Sequence, residues 1–359
     1  MSIPLKNIKI RHHIDLNITK LFNFIESRPH YLKLLWTVWE VDKFNYKAGD
    51  PLSYMYYVDI EDTIHYNAIK TQDYDIYNDL MYVTNQKEHT EENFKKLIQN
   101  WDENKCEKID LVYNGEIFIV FDGVHRLAAM KYLGLISDSI PLKYVNITYE
   151  SNIVNEIGNL LKETTGTIHY NGWNNRTTYG YHGFNIFNIN FEGQRNPSKR
   201  LEIMRKHYDF TNKKVIDLGC NSGGMLLHLF EIDSGIGYDF DSKCIDAANK
   251  ITKLLGLHKN LQFNVLNLET AIMSLIFNEI KPDCIFLLSL GSWIKTWPVI
   301  YKSAVKSKAT IFLEVNNNEE GIPQLKLFND MGCKITKISD SSDDDITNNR
   351  LRATYMIES

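Results

Sequence analysis

An acid two residues ahead of a glycine-containing turn, and a second acid about 20 residues after it, form the most chemically pointed spacing in this chain. The turn reads Asp217-Leu218-Gly219-Cys220-Asn221-Ser222-Gly223-Gly224, and the downstream acid is Asp239. Glycines without a Cβ let a ligand approach the backbone closely. An acid at the Asp239 spacing is placed to accept hydrogen bonds from a ribose diol. A dinucleotide site would show G-x-G-x-x-G, with amides free for pyrophosphate. Asp217 would repel pyrophosphate here, but it suits a cationic ligand that carries an ammonium group. A second constellation, Asp122-Gly123-Val124-His125-Arg126, stands immediately before an apolar helix. Helix N-terminal amides, an arginine and a histidine are groups that can converge on an anion.

The elements that must position these groups follow from apolar periodicity. Residues 215–218 read as a short buried strand, a helix opens at 225, and residues 235–238 form a second strand that ends on Asp239. This is a βαβ unit with a backbone-exposing turn. A helix over 243–256 and strands at 261–265, 283–290 and 310–315 continue the pattern, and two antiparallel strands at 334–338 and 350–357 close it. Ligands lie beyond the carboxyl ends of strands in open α/β sheets. That places Ser289 and Trp293 beside the reacting groups, and Asn267 or Glu269 at the end of the 261–265 strand. Upstream, Thr90 starts a helix with a Phe94, Leu97, Ile98 and Trp101 stripe. A hairpin over 109–121 turns at Asn114-Gly115 and leads into the Asp122 constellation. Residues 14–39 have helical spacing, 54–60 suit a strand, and His12 and His13 read as exposed tail residues. Between the two constellations, 150–162 form an amphipathic helix and 164–176 a loop rich in Gly, Asn, Thr and aromatics. A hairpin then leads to a helix over 197–207.

The 217–224 turn resembles the first motif of the class I S-adenosylmethionine-dependent methyltransferases, D-x-G-x-G-x-G, with Asn221 in place of the middle glycine. The resemblance implies that Asp217, Gly219, Asn221, Gly223 and Gly224 line the methionine side of the cofactor and that Asp239 holds the ribose. It also implies that Asn267 meets the adenine and that Ser289 borders the methyl group. The segment before the motif helps to build the acceptor pocket in that family. By that analogy His182, Glu192, Gln194 and Arg195 contact substrate or cofactor, and His182 is the candidate general base because histidine titrates near neutral pH. Trp293 is a further substrate candidate. The helix, hairpin, D-G-x-H-R, helix, strand succession over about 90–147 resembles the ParB N-terminal/sulfiredoxin-like domain. That resemblance implies nucleotide phosphate at Gly123, His125 and Arg126, with Asp122 as a metal or hydroxyl partner. Val124 stands where sulfiredoxin carries its reactive cysteine, which argues against reductase chemistry. An Arg126 held in a structural ion pair is the alternative.

Composition sets the limits. The chain has 359 residues, a formal net charge of −5 and five cysteines, Cys106, Cys220, Cys244, Cys284 and Cys333, with no C-x-x-C pair. This spacing argues against a structural zinc site or a disulfide framework and fits a reducing cytoplasm. No resident metal is expected, and the acidic run 343–345 matches no calcium-loop spacing. The charge disfavours a nucleic-acid-coating role, and no apolar run approaches a membrane span. The fold expected is α/β, a seven-stranded Rossmann-like methyltransferase sheet over 213–359. An α+β ParB/sulfiredoxin-like domain over 1–149 precedes it, with a bridging segment and lid over 150–212. The function expected is S-adenosylmethionine-dependent methyl transfer to a small molecule, such as a sugar or glycan precursor. The N-terminal domain would take ATP or CTP with magnesium and act as a kinase or sensor. A nucleotide-regulated binding protein and an RNA- or DNA-modifying methyltransferase are the alternatives.

Overall fold

The computed structural model describes residues 2–15, 53–75, 77–78, 81, 88–103, 105–165, 180–257, 260–340 and 352–359. The helical spacing read over 14–39, the loop read over 164–176 and the acidic run 343–345 lie wholly or mostly outside these residues; Thr164 and Thr165 of that loop belong instead to a helix, Ser151–Thr165. Two compact units divide the chain at Glu150/Ser151. The bridging segment therefore folds with the C-terminal sheet.

Among the described residues, the N-terminal unit has the strands β1 (Ser2–Pro4), β2 (Ile8–Asp15), β3 (Ser53–Val58), β4 (Ile109–Tyr113), β5 (Phe118–Asp122), β6 (Ser139–Pro141) and β7 (Val145–Tyr149). Five of them form a mixed sheet in the order β3-β2-β5-β4-β7, and β1 pairs with β6. His12 and His13 lie in β2, opposite Tyr56 and Met55 of β3, rather than in a tail. The β4–β5 hairpin turns where expected, because Asn114 Oδ1 accepts from the Glu116 and Ile117 amides. Three helices follow the apolar stripes: α1 (Ile64–Thr71), α2 (Glu91–Gln99) and α3 (Val124–Tyr132). Thr90 caps α2 by accepting from the Asn93 amide at 3.2 Å.

In the C-terminal unit, α4 (Ser151–Thr165), the ribbon β8 (Phe184–Ile186)–β9 (Ile189–Phe191) and α5 (Pro197–Arg205) precede the main sheet. Its strands are β10 (Lys214–Leu218), β11 (Ser234–Asp239), β12 (Leu261–Val265), β13 (Cys284–Leu288), β14 (Thr310–Glu314), β15 (Lys334–Ser339) and β16 (Thr354–Glu358). They run in the order β12-β11-β10-β13-β14-β16-β15. The first five are parallel, and β16 inserts antiparallel between β14 and β15. Helices α6 (Gly224–Leu227), α7 (Ser242–Leu255), α8 (Met273–Ile280), α9 (Trp297–Lys306) and α10 (Asn318–Asp330) complete the unit. The strand order reverses between β10 and β13, so the ligand crevice of an open sheet falls at the carboxyl ends of these two strands. The closing antiparallel pair and the parallel-rich sheet are consistent with a Rossmann-like methyltransferase. Helix α6 is a single turn. His228 ends it by aiming its own Nδ1 at the Gly224 carbonyl, 2.6 Å away, while its backbone N–H turns to Met225.

Among the described residues, no helix is long and apolar enough to cross a membrane. The packing of the turn on the sheet is tight at Gly237. A Cβ there would stand 2.5 Å from Phe263 and 2.8 Å from Cys220 Sγ. Gly237→Ala should lower the stability of the C-terminal unit by about 1–3 kcal/mol through overpacking, read as a lower urea midpoint with an unchanged slope.

Candidate active site

The turn after β10 is built from left-handed residues. Gly219, Asn221 and Gly223 have φ of 77°, 49° and 76°, and asparagine is among the few other residues that visit this region routinely. The substitution of Asn221 for the family's middle glycine is therefore conformationally allowed. The amides of Gly219 and Cys220 donate to the Tyr238 carbonyl at 2.8 and 3.0 Å, and the Asn221 amide donates to Asp239 Oδ2 at 2.8 Å. Asp239 Oδ1 accepts from the Asp241 amide at 3.0 Å. Asp239 thus laces the turn to the end of β11, a backbone role that its sequence position does not reveal. The two later glycines are required by packing. A Cβ at Gly223 would stand 2.6 Å from the Phe263 ring, and one at Gly224 would stand 2.6 Å from the His182 side chain.

Three polar atoms around this turn are buried and lack a hydrogen-bond partner among the described residues: Asp217 Oδ2, Asn221 Oδ1 and His182 Nδ1. Buried polar atoms are ordinarily satisfied. Two of the three are oxygens, one at the end of β10 and one on the turn that follows it. Burial, with the Asp239 charge adding to it, pushes the Asp217 carboxyl up to about 8. Burial raises Asp239 as well.

At the ends of β13 and β14 stands a second polar centre, organised by Glu314. Its Oε2 lies 2.6 Å from Arg195 Nη2 and 2.9 Å from Arg200 Nη2, and its Oε1 lies 3.5 Å from Arg352 Nη1. All four side chains are buried. Ser289, held at φ 58°, donates its hydroxyl to Glu314 Oε1 and accepts from Arg352 Nη1 at 3.1 Å. The Ser289 amide also donates to the Glu314 carbonyl at 2.9 Å. Ser289 and Arg195, both sequence candidates, are brought together here. Arg200 and Arg352 were missed, because nothing in their local sequence distinguishes them from surface arginines.

Several expectations need correction. His182 is 4% exposed, and burial, followed by the charge of Arg195, lowers its pKa to about 3. It is neutral at physiological pH and too weak a base for the role suggested by an ordinary histidine. Arg195 is wholly buried against Glu314, so it is not an open substrate contact. Asn267 is exposed, and its Oδ1 accepts from the Glu269 amide at 3.0 Å within its own turn. Glu269 instead accepts from the Lys295 and Thr296 amides at 2.6 and 3.2 Å, tying the loop after β12 to the loop after β13. Glu192 is exposed, and Trp293 is 70% exposed beyond the end of β13. Gln194 is buried.

In the N-terminal unit, Gly123 takes φ 96° at the start of α3, as a turn there requires. Arg126, however, is held by Glu107 Oε2 at 2.6 Å and Asp122 Oδ2 at 2.5 Å. The His125 ring turns inward, 2.8 Å from the Tyr77 hydroxyl and among the rings of His65, His89 and Phe94. Burial lowers its pKa to about 3. The two Nη atoms of Arg126 and the His125 ring thus already meet protein partners, while Arg126 Nε has none among the described residues. Among the described residues, no group of three or more His, Cys, Asp or Glu is arranged to hold a metal.

No family model matches the chain. The U6 snRNA methylphosphate capping enzyme Amus of Drosophila melanogaster is 32% identical over 127 residues, covering 32% of this chain and 40% of that protein. The match thus spans less than half of the relative's length. Among solved structures, the chain is similar to the N-terminal domain of EvdMO1 with SAH bound. Identity is 13%, the TM-score is 0.40, and 57% of this chain and 95% of that chain are covered. It is also similar to a SAM-dependent methyltransferase from Aquifex aeolicus, with 13% identity, a TM-score of 0.36, and 46% and 91% covered. At these scores the fold assignment rests on the chain's own strand order.

Two outcomes follow from the polar centres. Glu314→Ala would leave buried guanidinium groups without their shared carboxylate and should cost about 3–5 kcal/mol, measured by chemical denaturation. Asp217 is raised from 3.8 to about 8 on folding, so the native state holds a proton that the unfolded chain releases. The associated stability is complete below pH ~4 and is lost as pH rises toward 8. Between pH 6.5 and 8 the urea midpoint should therefore fall, and Asp217→Asn should remove most of that fall.

Proposed function

We propose that this chain is an S-adenosylmethionine-dependent methyltransferase acting on a small-molecule acceptor. The observation that carries the reading is a pair of buried oxygens without a partner among the described residues, Asp217 Oδ2 at the carboxyl end of β10 and Asn221 Oδ1 on the left-handed turn that follows. The sheet reverses its strand order beside that turn. When bound, S-adenosylmethionine supplies a sulfonium-activated methyl group, and positioning then accounts for much of the rate. Asp217 and Asn221 accept from the cofactor's ammonium group, and Asp239 keeps the turn closed while its remaining lone pairs face the ribose. Glu314 fixes the loop that begins at Ser289, and the acceptor sits beyond this loop, near Trp293. With His182 neutral and buried, the chain favours an acceptor that needs no strong protein base, such as an oxyanion or a neutral amine.

An RNA acceptor is a second reading, drawn from the name of the Drosophila relative. The formal net charge of −5 lies against a broad nucleic-acid surface. Phosphoryl transfer by the N-terminal unit is not part of the proposal, because carboxylates already hold Arg126 and the His125 ring turns inward.

Calorimetric titration with S-adenosylhomocysteine tests the cofactor assignment. Asp239→Ala should weaken binding by about 1–3 kcal/mol, the worth of hydrogen bonds to a charged group; equal affinity in the variant would remove that acid from the site. Incubation with labelled S-adenosylmethionine and a metabolite pool should label small molecules. Label appearing in RNA instead, with binding that falls steeply as salt rises, would select the second reading.

A further inference from the structure

We propose that His182 is a cofactor-binding residue whose Nδ1 donates a hydrogen bond to the carboxylate of the methionine moiety of S-adenosylmethionine. The inference rests on the cofactor reading given above and assigns a residue within it.

The geometry places the imidazole against the turn. A Cβ built on Gly224 would stand 2.6 Å from His182 Cγ and 2.8 Å from Nδ1, so glycine at 224 keeps this space for the ring. The His182 side chain is almost wholly buried, and Nδ1 has no partner among the described residues. A buried donor left unmade costs about 1–3 kcal/mol, a penalty that a ligand relieves. The ring is held in place by its backbone. His182 pairs with Arg195 in a parallel bridge, the Gly183 amide donates to the Arg195 carbonyl at 2.6 Å, and the Arg195 amide donates to the Tyr181 carbonyl at 2.8 Å.

The polarity around the turn matches a zwitterion. Asn221 Oδ1 accepts, and the Asp217 carboxyl accepts through both oxygens once it gives up its proton, so the pair suits an ammonium group. An imidazole in its Nδ1–H tautomer presents a donor, and it suits the carboxylate of the same amino acid. The Arg195 guanidinium is close enough for its charge to disfavour a proton on His182. That same field favours an anion beside the ring. His182 therefore works as a neutral donor and has no need to titrate.

The test is calorimetric titration of the full chain with three ligands: S-adenosylhomocysteine, decarboxylated S-adenosylmethionine, which keeps the ammonium group, and 5′-methylthioadenosine, which lacks both charged groups. His182→Phe keeps the ring against Gly224 and removes Nδ1. It should weaken S-adenosylhomocysteine about 10- to 100-fold, as expected for one hydrogen bond to a charged group, and leave the other two ligands unchanged. His182→Asn, whose amide nitrogen can take the place of Nδ1, should recover most of the loss. A His182→Phe variant that binds S-adenosylhomocysteine as tightly as the wild type overturns the assignment. Equal weakening of all three ligands also overturns it, because that pattern reports a structural role. Wild-type protein that takes up no S-adenosylhomocysteine would sink the cofactor reading itself, an outcome visible before any variant is made.

Discussion

One buried carboxylate holds the candidate site together. Glu314 sits at the carboxyl end of β14, where it gathers Arg195 from the segment before the sheet, Arg200 from α5 and Arg352 from the approach to β16. It also fixes Ser289 at the end of β13. The partners come from three stretches of chain, around residues 195–200, 289 and 352, so a single side chain closes long loops that hydrophobic contact alone would leave less specified. Charges this deep are costly to desolvate, and such networks persist when their geometry and hydrogen bonding are good. Arginine suits the role because its planar fork can meet a carboxylate at several angles while staying charged.

The segment over 180–196 carries this constraint to the cofactor turn. Its two ends cross at Gly183 and Gly193, where a Cβ on Gly193 would stand 2.0 Å from the Gly183 nitrogen. Only glycine permits that approach. The crossing delivers Arg195 to Glu314 and His182 to Gly224, so the ion-pair centre and the turn are joined by a short, closed piece of backbone. His228 adds a second tie, since its Nε2 accepts from the Asn185 amide at 3.1 Å while its Nδ1 meets the Gly224 carbonyl. Burial lowers the pKa of His228 to about 4, which keeps it neutral, with one ring nitrogen donating and the other accepting.

The glycine-containing turns at 217–224 and 122–126 illustrate how similar local sequence leads to different chemistry. Each follows a strand, opens a helix and carries an acid nearby. At 217–224 the acid is buried and one oxygen has no partner among the described residues. At 122–126 the acid is exposed and engages Arg126, which Glu107 also holds. The first leaves a carboxyl oxygen without a partner among the described residues, and the second leaves Arg126 Nε without one while both Nη atoms are paired with carboxylates.

Sequence alone determined the C-terminal architecture, because strand runs, glycine turns and acid spacing are local patterns, and a parallel sheet with few connections leaves little freedom in arranging them. It located β10 through β14 and the 217–224 turn, and it brought Asp217, Asn221, Asp239 and Ser289 into view. It also located the β4–β5 hairpin with its Asn114-Gly115 turn. Tertiary structure alone decided what each polar side chain meets. The neutrality of His182 depends on its burial against Gly224. The roles of Arg200 and Arg352 depend on Glu314, which is far from both along the chain. Periodicity reports which face of an element is buried; it does not report which charge waits on the element packed against it.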